Sequence, residues 1–240
     1  MTEQRFRSVV VLTGAGISAE SGVPTFRGED GLWRRYCAEE LATPQAFARQ
    51  PTLVWEWYDW RRGLIAYCEP NAAHRVLVQM EQSCGDFTLI TQNVDDLHHR
   101  AGSKRPVRLH GSIWQVWCTA EGTVGENHEV PLRELPPRCP CGALLRPHVV
   151  WFGETLDPSV LSAAYEAAER CDLMLVVGTS ALVQPAACLP VIAKSKGAYL
   201  IEVNLERTPL SRYADDVVMG PAAEALPRLW SRLGEPLPAT

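Results

Sequence analysis

The sequence predicts an α/β protein: a doubly wound, Rossmann-like parallel sheet that carries a smaller inserted domain. Short apolar runs rich in β-branched residues recur along the chain, with helix-length stretches between them, and a glycine-rich turn follows the first run. Continuous apolar runs are typical of parallel strands that are covered on both faces. Their alternation with helices indicates a doubly wound sheet.

The elements follow from these runs in chain order. The predicted strands are residues 8–12, 87–91, 107–109, 173–178, 198–203 and 216–219. The predicted helices are residues 72–82, 159–170, 185–196 and 222–233.

Two segments depart from this rhythm and predict the inserted domain. Residues 43–67 have a helical pattern that includes Trp55, Trp57, Tyr58 and Trp60, whereas residues 112–147 are rich in Gly, Pro and Glu and hold three cysteines. We expect the second segment to be irregular. The predicted large domain comprises residues 1–32, 72–112 and 147–235, and the small domain comprises a helical part, 33–71, and a cysteine module, 113–146.

Composition excludes several classes of function. The 240 residues include 23 Lys and Arg against 28 Asp and Glu, a net charge of −5. This balance disfavours a nucleic-acid partner, because such partners are held by basic surfaces. No apolar run approaches the roughly 20 residues that cross a bilayer, and no leader pattern precedes the first predicted strand. We therefore expect a cytoplasmic protein without a membrane partner.

The first predicted strand runs into a glycine turn that suits a pyrophosphate. Gly14, Gly16 and Ala19 match G-x-G-x-x-A at a strand-to-helix turn. A plain tight turn is the alternative interpretation. No acidic residue follows a second strand as in dehydrogenases, because the chain continues through Pro24. Arg27 and its neighbour Phe26 instead resemble a lid over a reacting cofactor.

Polar residues follow two later strands. Gln92, Asn93 and Asp95 come after the strand at 87–91, where amide and carboxylate groups can fix sugar hydroxyls and a carboxamide. A helix cap by Asn93 or Asp95 is the alternative. His110 follows the short strand at 107–109 and is the candidate general base.

These motifs occur together in the order seen in the sirtuins, and the resemblance covers essentially the whole chain. The matching segments are Gly14-Ala15-Gly16-Ile17-Ser18, Pro24-Thr25-Phe26-Arg27, Thr91-Gln92-Asn93-Val94-Asp95, His110-Gly111, Pro147-His148-Val149-Val150-Trp151-Phe152-Gly153-Glu154 and Gly178-Thr179-Ser180. Sirtuins remove acyl groups from protein lysines and consume NAD. The resemblance therefore implies an NAD-dependent enzyme whose partners are acyl-lysine proteins.

The resemblance also implies a role for each matched residue. His110 and Asn93 would be catalytic, with His110 taking a proton from a ribose hydroxyl. The NAD-binding residues would be Gly14, Ala15, Gly16, Ser18, Phe26, Arg27, Gln92, Asn93, Asp95, Gly178, Thr179, Ser180, Asn204 and Ala222. The substrate peptide would lie extended between residues 150–154 and 180–184, against Val150, Phe152, Gly153 and Glu154.

A Tyr-x-x-Arg pair predicts the acyl group. Tyr58 and Arg61 lie three residues apart and share a helix face. A buried guanidinium beside a tyrosine hydroxyl can bind a carboxylate. The placement resembles class III sirtuins, which prefer succinyl- and malonyl-lysine to acetyl-lysine. The alternative is an aromatic core stripe from which Arg61 and Arg62 extend to water.

The cysteine module departs from the family pattern. Sirtuins usually hold a structural zinc with two cysteine pairs, whereas Cys118, Cys139 and Cys141 supply three thiolates. Structural zinc prefers four ligands. Either His128 or Glu121 could complete the site, or packing and prolines hold the module without metal.

Two other functions use the same nucleotide site. One is mono-ADP-ribosyl transfer to a protein side chain, and the other is a non-catalytic NAD-sensing module. Neither the natural substrate proteins nor the oligomeric state follows from the sequence.

Overall fold

The computed structural model describes residues 6–25 and 38–233. Within these ranges the strands are β1 (Ser8–Thr13), β2 (Asp86–Thr91), β3 (Val107–Arg108), β4 (Gly111–Cys118), β5 (Val124–Glu126), β6 (Leu145–Val149), β7 (Leu173–Val177), β8 (Tyr199–Asn204) and β9 (Asp216–Met219). The helices are α1 (Gly16–Ala19), α2 (Ala38–Leu41), α3 (Pro44–Arg49), α4 (Pro51–Ala66), α5 (Ala72–Ser83), α6 (Leu97–Ala101), α7 (Pro158–Arg170), α8 (Cys188–Ser195) and α9 (Ala222–Leu233).

Six parallel strands form the large sheet in the order β3-β2-β1-β7-β8-β9. β1 and β7 are buried almost throughout, as expected of central strands with helices on both faces. The chain builds outward from β1 in one direction and from β7 in the other. Their carboxyl ends therefore form the switch point where doubly wound sheets bind ligands. The predicted fold class is confirmed.

The prediction of an irregular segment over residues 112–147 is correct only in part: residues 127–144 form no helix or strand, but strands lie on both sides of them. The segment contributes to a second sheet, which is antiparallel with the order β5-β4-β6. In β4 the buried residues Trp114, Val116 and Cys118 alternate with less buried Gln115 and Trp117, which is the period of two expected of a half-covered strand. β4 and β6 also extend past the predicted domain boundaries at 112 and 147.

Several predicted elements differ from the observed ones in their bounds. Residues 43–67 form two helices, because Pro51 starts α4 directly after the end of α3. The helix predicted over 185–196 begins at Cys188, since the preceding turn closes with the tighter i→i−3 bonds from Cys188 to Pro185 and from Leu189 to Ala186. The strand predicted over 107–109 ends at Arg108.

Three partly buried hydrogen bonds join α4 to the second sheet and to the segment between β5 and β6. The Trp55 indole N–H donates to the Leu145 carbonyl at 2.7 Å, and Asp59 accepts from the Leu132 N–H at 2.9 Å. Arg62 is fully buried, and its guanidinium donates to the Asn127 carbonyl at 2.6 Å. The interpretation in which Arg62 extends to water is therefore wrong, because its side chain is fully buried and its guanidinium is directed at the chain's own carbonyls.

Among residues 6–25 and 38–233, no helix has both the length and the apolar character that crossing a bilayer requires. The cytoplasmic location stays a prediction.

Candidate active site

The glycine turn packs backbone against backbone at the switch point. A Cβ on Gly16 would stand 2.7 Å from the Gly178 Cα, and a Cβ on Gly14 would stand 2.8 Å from the Gly178 carbonyl oxygen. Gly178 has a φ of +61°, a conformation that favours glycine. The Gly16 N–H donates to the Gly178 carbonyl at 2.8 Å. Only glycines allow the β1 and β7 loops to meet this closely.

The polar residues after β2 lie against this turn. Asn93 donates through Nδ2 to the Gly14 carbonyl at 3.1 Å and to Ser18 Oγ at 3.2 Å. Gln92 donates through Nε2 to Thr179 Oγ1 at 2.9 Å. These hydrogen bonds join the ends of β1, β2 and β7 through side chains that are predicted to bind the cofactor.

Asp95 lies deeper than its neighbours and is 4% exposed. Burial raises the pKa of its carboxyl group, against the opposing effect of the Leu97 N–H, which donates to Oδ1 at 2.9 Å. The Asp95 carboxylate thus accepts the first N–H of α6, whereas the amide nitrogen of Asn93 donates to Gly14 and Ser18.

Two buried histidines contact hydroxyl side chains next to the site, and no functional role was predicted for either of them from the sequence. His74 Nε2 lies 3.4 Å from Ser18 Oγ, and His98 Nε2 lies 2.9 Å from Thr13 Oγ1, with the two rings 4.9 Å apart. Burial lowers the pKa of His74 to about 4 and the pKa of His98 well below its ordinary value. Both rings are therefore neutral at pH 7. The signal for His74 was the capping box with Asn71, three residues earlier.

His110 is oriented as a base. Its Nδ1 lies 2.9 Å from the Gln92 carbonyl oxygen. A carbonyl only accepts, so Nδ1 carries the proton and the neutral ring keeps an unprotonated Nε2. Burial lowers the pKa of His110, an effect that the hydrogen bond to Gln92 partly opposes.

The residues predicted to bind the adenosine side of the cofactor lie at β7, β8 and α9. Asn204 donates through Nδ2 to the Thr179 carbonyl at 2.9 Å, which fixes the loop that carries half-buried Ser180. Ala222 is buried at the start of α9. Half-buried Ala15 precedes α1 and completes the turn. Phe26 and Arg27 lie outside the described residues.

The segment that is predicted to contact the substrate peptide, residues 150–154, follows β6. The Val150 N–H donates to the His110 carbonyl at 3.0 Å, and the Phe152 N–H donates to the Ala42 carbonyl at 2.9 Å. The Phe152 side chain is exposed, and Gly153 has a φ of +86°. Glu154 is engaged within the chain, because Arg146 holds both its oxygens, at 2.7 and 2.9 Å. Its carboxylate therefore shapes the turn.

Tyr58 and Arg61 share one face of α4 and are both buried. The Tyr58 hydroxyl accepts from the Trp151 indole N–H at 2.9 Å. The Arg61 guanidinium carbon lies 4.8 Å from the centre of the Trp57 ring. Burial lowers the pKa of Arg61, and the nearby Tyr58 and Asp95 oppose that shift. A desolvated cation thus stands beside a phenol.

The three cysteines of the module converge with Glu121. The ligand atoms of Cys118, Glu121, Cys139 and Cys141 all lie within 4.8 Å of one another, and the Cys118 and Cys141 sulfurs are 3.5 Å apart. Zn–S bonds of about 2.3 Å place tetrahedral sulfurs roughly 3.8 Å apart. These residues therefore fit a structural zinc. His128 stacks on Trp114 instead, with the ring centres 5.6 Å apart.

We expect Glu121→Ala to weaken zinc binding by at least ~10–100-fold. A residue that only hydrogen-bonds to a zinc ligand already contributes that much to metal affinity, and a direct ligand should contribute more. The variant leaves three protein ligands for an ion that requires four. Zinc content after dialysis against a graded chelator measures the effect. His128→Ala is the matched control and should retain zinc as the parent does. Equal zinc retention by Glu121→Ala and the parent would contradict the assignment.

Fold and site together define an α/β nucleotide-binding protein with a positioned imidazole. The Sir2 family model matches residues 14–185. An NAD-dependent protein deacylase of Aquifex aeolicus (strain VF5) is 54% identical over 229 residues, covering 95% of this chain and 96% of the relative. The chain belongs to the Sir2 family.

Solved structures agree with this assignment. The crystal structure of a Sir2 homologue–NAD complex is 50% identical with a TM-score of 0.91, covering 97% of this chain and 91% of that one. A Sir2–p53 peptide–NAD+ complex is 33% identical with a TM-score of 0.85, covering 96% and 95%.

Proposed function

We propose that this protein is an NAD-dependent protein-lysine deacylase that prefers succinyl- and malonyl-lysine to acetyl-lysine. The observation that supports this reaction is the orientation of His110. Its Nδ1 is held by the Gln92 carbonyl, which leaves Nε2 to accept a proton beside the hydrogen-bonded strand ends. The deacylase relative and the NAD-bound homologue support the nucleotide and the substrate class.

The residues of the chain divide the reaction between them. NAD supplies a ribose carbon that bears a cationic leaving group. Gln92, Asn93 and Asp95 orient the ribose and carboxamide, and the turn at Gly14 and Gly16 receives the pyrophosphate. Holding the acyl oxygen in line with the ribose carbon contributes much of the rate. His110 Nε2 would accept the proton of a ribose hydroxyl, whose oxygen would then attack the acyl carbon. The bond from that carbon to the lysine nitrogen would break with uptake of one water molecule, which would leave O-acyl-ADP-ribose and the free lysine amine.

The acyl preference rests on Tyr58 and Arg61. A succinyl or malonyl group ends in a carboxylate, and a buried guanidinium can hold it more strongly than water-exposed charges can. An acetyl group offers that guanidinium no anion.

Product identity tests the proposal. We expect a succinyl-lysine peptide with NAD to yield nicotinamide, O-succinyl-ADP-ribose and free lysine peptide, faster than the matched acetyl peptide at equal concentration. Faster acetyl turnover would overturn the preference. Mass spectra with ADP-ribose left on protein would favour ADP-ribosyl transfer, and NAD binding without nicotinamide release would favour a sensing module.

A further inference from the structure

Trp151 connects the proposed acyl pocket to the turn at residues 151–154. Its indole is 2% exposed, and its N–H donates to Tyr58 Oη at 2.9 Å. An indole N–H has no acceptor capacity, so the tyrosine must be the acceptor in this bond. The hydrogen-bonding role of the Tyr58 oxygen toward Trp151 is thereby fixed.

The Tyr58 proton is left for another acceptor. A phenol hydroxyl both donates and accepts, and burial raises the pKa of Tyr58, so it remains protonated. Within residues 6–25 and 38–233, no side chain or carbonyl accepts that proton. A hydroxyl that accepts on one side and donates on the other suits a carboxylate, which only accepts.

The position of Trp151 is itself held on three sides. The Arg146 guanidinium carbon lies 3.6 Å from the centre of the Trp151 ring, and the Phe47 ring lies 5.4 Å from it. The Trp151 backbone N–H donates to Glu154 Oε2 at 2.8 Å. These contacts leave the indole little rotational freedom, so its N–H has one direction.

We infer that Trp151 is a specificity-determining positioning residue for the acyl group. The Trp151 N–H donates to the Tyr58 oxygen. The Tyr58 hydroxyl proton is thereby directed toward the acyl carboxylate, to which it can donate beside Arg61. The inference rests on the proposed function, since it deepens the succinyl preference. Trp151 acts through Tyr58 and touches no reacting atom.

Trp151→Phe tests this role because it keeps an aromatic ring against Arg146 and Phe47 and deletes the N–H. We expect the KM for the succinyl peptide to rise about tenfold more than the KM for the acetyl peptide, which is the size of one hydrogen bond to a buried group. The kcat values should change less. In a Tyr58→Phe background, the same substitution should add nothing further to the succinyl loss.

Trp55→Phe is the matched control. Trp55 lies on α4 and is buried, as Trp151 is, but its indole N–H donates to the Leu145 carbonyl rather than to Tyr58. This variant should leave the succinyl-to-acetyl KM ratio as in the parent. Equal KM changes for both peptides in Trp151→Phe, or additive effects with Tyr58→Phe, would overturn the inference and leave the proposed function standing. A parent enzyme that prefers the acetyl peptide would instead overturn the succinyl preference, and the inference with it.

Discussion

His110→Asn is expected to lower the rate of lysine deacylation by about 10²–10⁴-fold, the usual contribution of a positioned base. An asparagine amide can still donate to the Gln92 carbonyl, which His110 contacts at 2.9 Å, but it cannot accept a proton at the position of Nε2. Formation of free lysine peptide under saturating NAD measures the effect. NAD affinity, followed by calorimetry, should change little.

His99→Asn is the control for this substitution, because the His99 side chain is 62% exposed on α6. It should deacylate at the parental rate. Deacylation by His110→Asn within a few-fold of the parent would remove His110 from the mechanism.

The same histidine sets an acid limb in the pH profile. The pKa of His110 lies below its ordinary value near 6.5, because burial disfavours the imidazolium. The neutral, base-competent ring therefore persists below pH 6.5, and kcat/KM should fall only as the pH drops through this lowered pKa. A half-maximal point above 6.5 on the acid side would contradict the assignment.

The features that the sequence predicted are those encoded over a few residues. Gly14 and Gly16 lie in the expected turn. Gln92 and Asn93 follow β2, and they lie near that turn because the strand ends share one edge of a parallel sheet. The second sheet was missed because β5 is exposed at all its residues and has no alternating pattern. The glycines and prolines around it also pointed to irregular structure.

The supporting contacts could not be predicted, because they join distant parts of the chain. Ser18 and His74 are 56 residues apart, and Tyr58 and Trp151 are 93 residues apart. Local patterns give His74 and His98 a helical position without revealing that tertiary packing buries both rings. The sequence left Glu121 and His128 as alternative fourth ligands, because which of them lies beside the cysteines depends on the fold of the module.

Arg61→Met is expected to lower kcat/KM for the succinyl peptide about 10–100-fold, as loss of hydrogen bonds to a charged group of ~1.5–3 kcal/mol implies. Methionine fills a similar volume, so the acetyl peptide, which lacks a carboxylate, should be turned over with a much smaller change. Competition between the two peptides in one reaction, read by mass spectrometry, reports the ratio directly.

Arg62→Met separates recognition from packing. Arg62 is the adjacent buried arginine, yet its guanidinium donates to the Asn127 and Glu129 carbonyls of the cysteine module. Its loss removes these hydrogen bonds from a charged group, worth about 1.5–3 kcal/mol each, so the Tm should fall and both peptides should lose activity together. Arg61→Met should not lower the Tm comparably, because burial already disfavours its charge, as its lowered pKa indicates. Parallel losses of both activities in Arg61→Met would assign Arg61 the same packing role as Arg62 and remove the basis for an acidic acyl group.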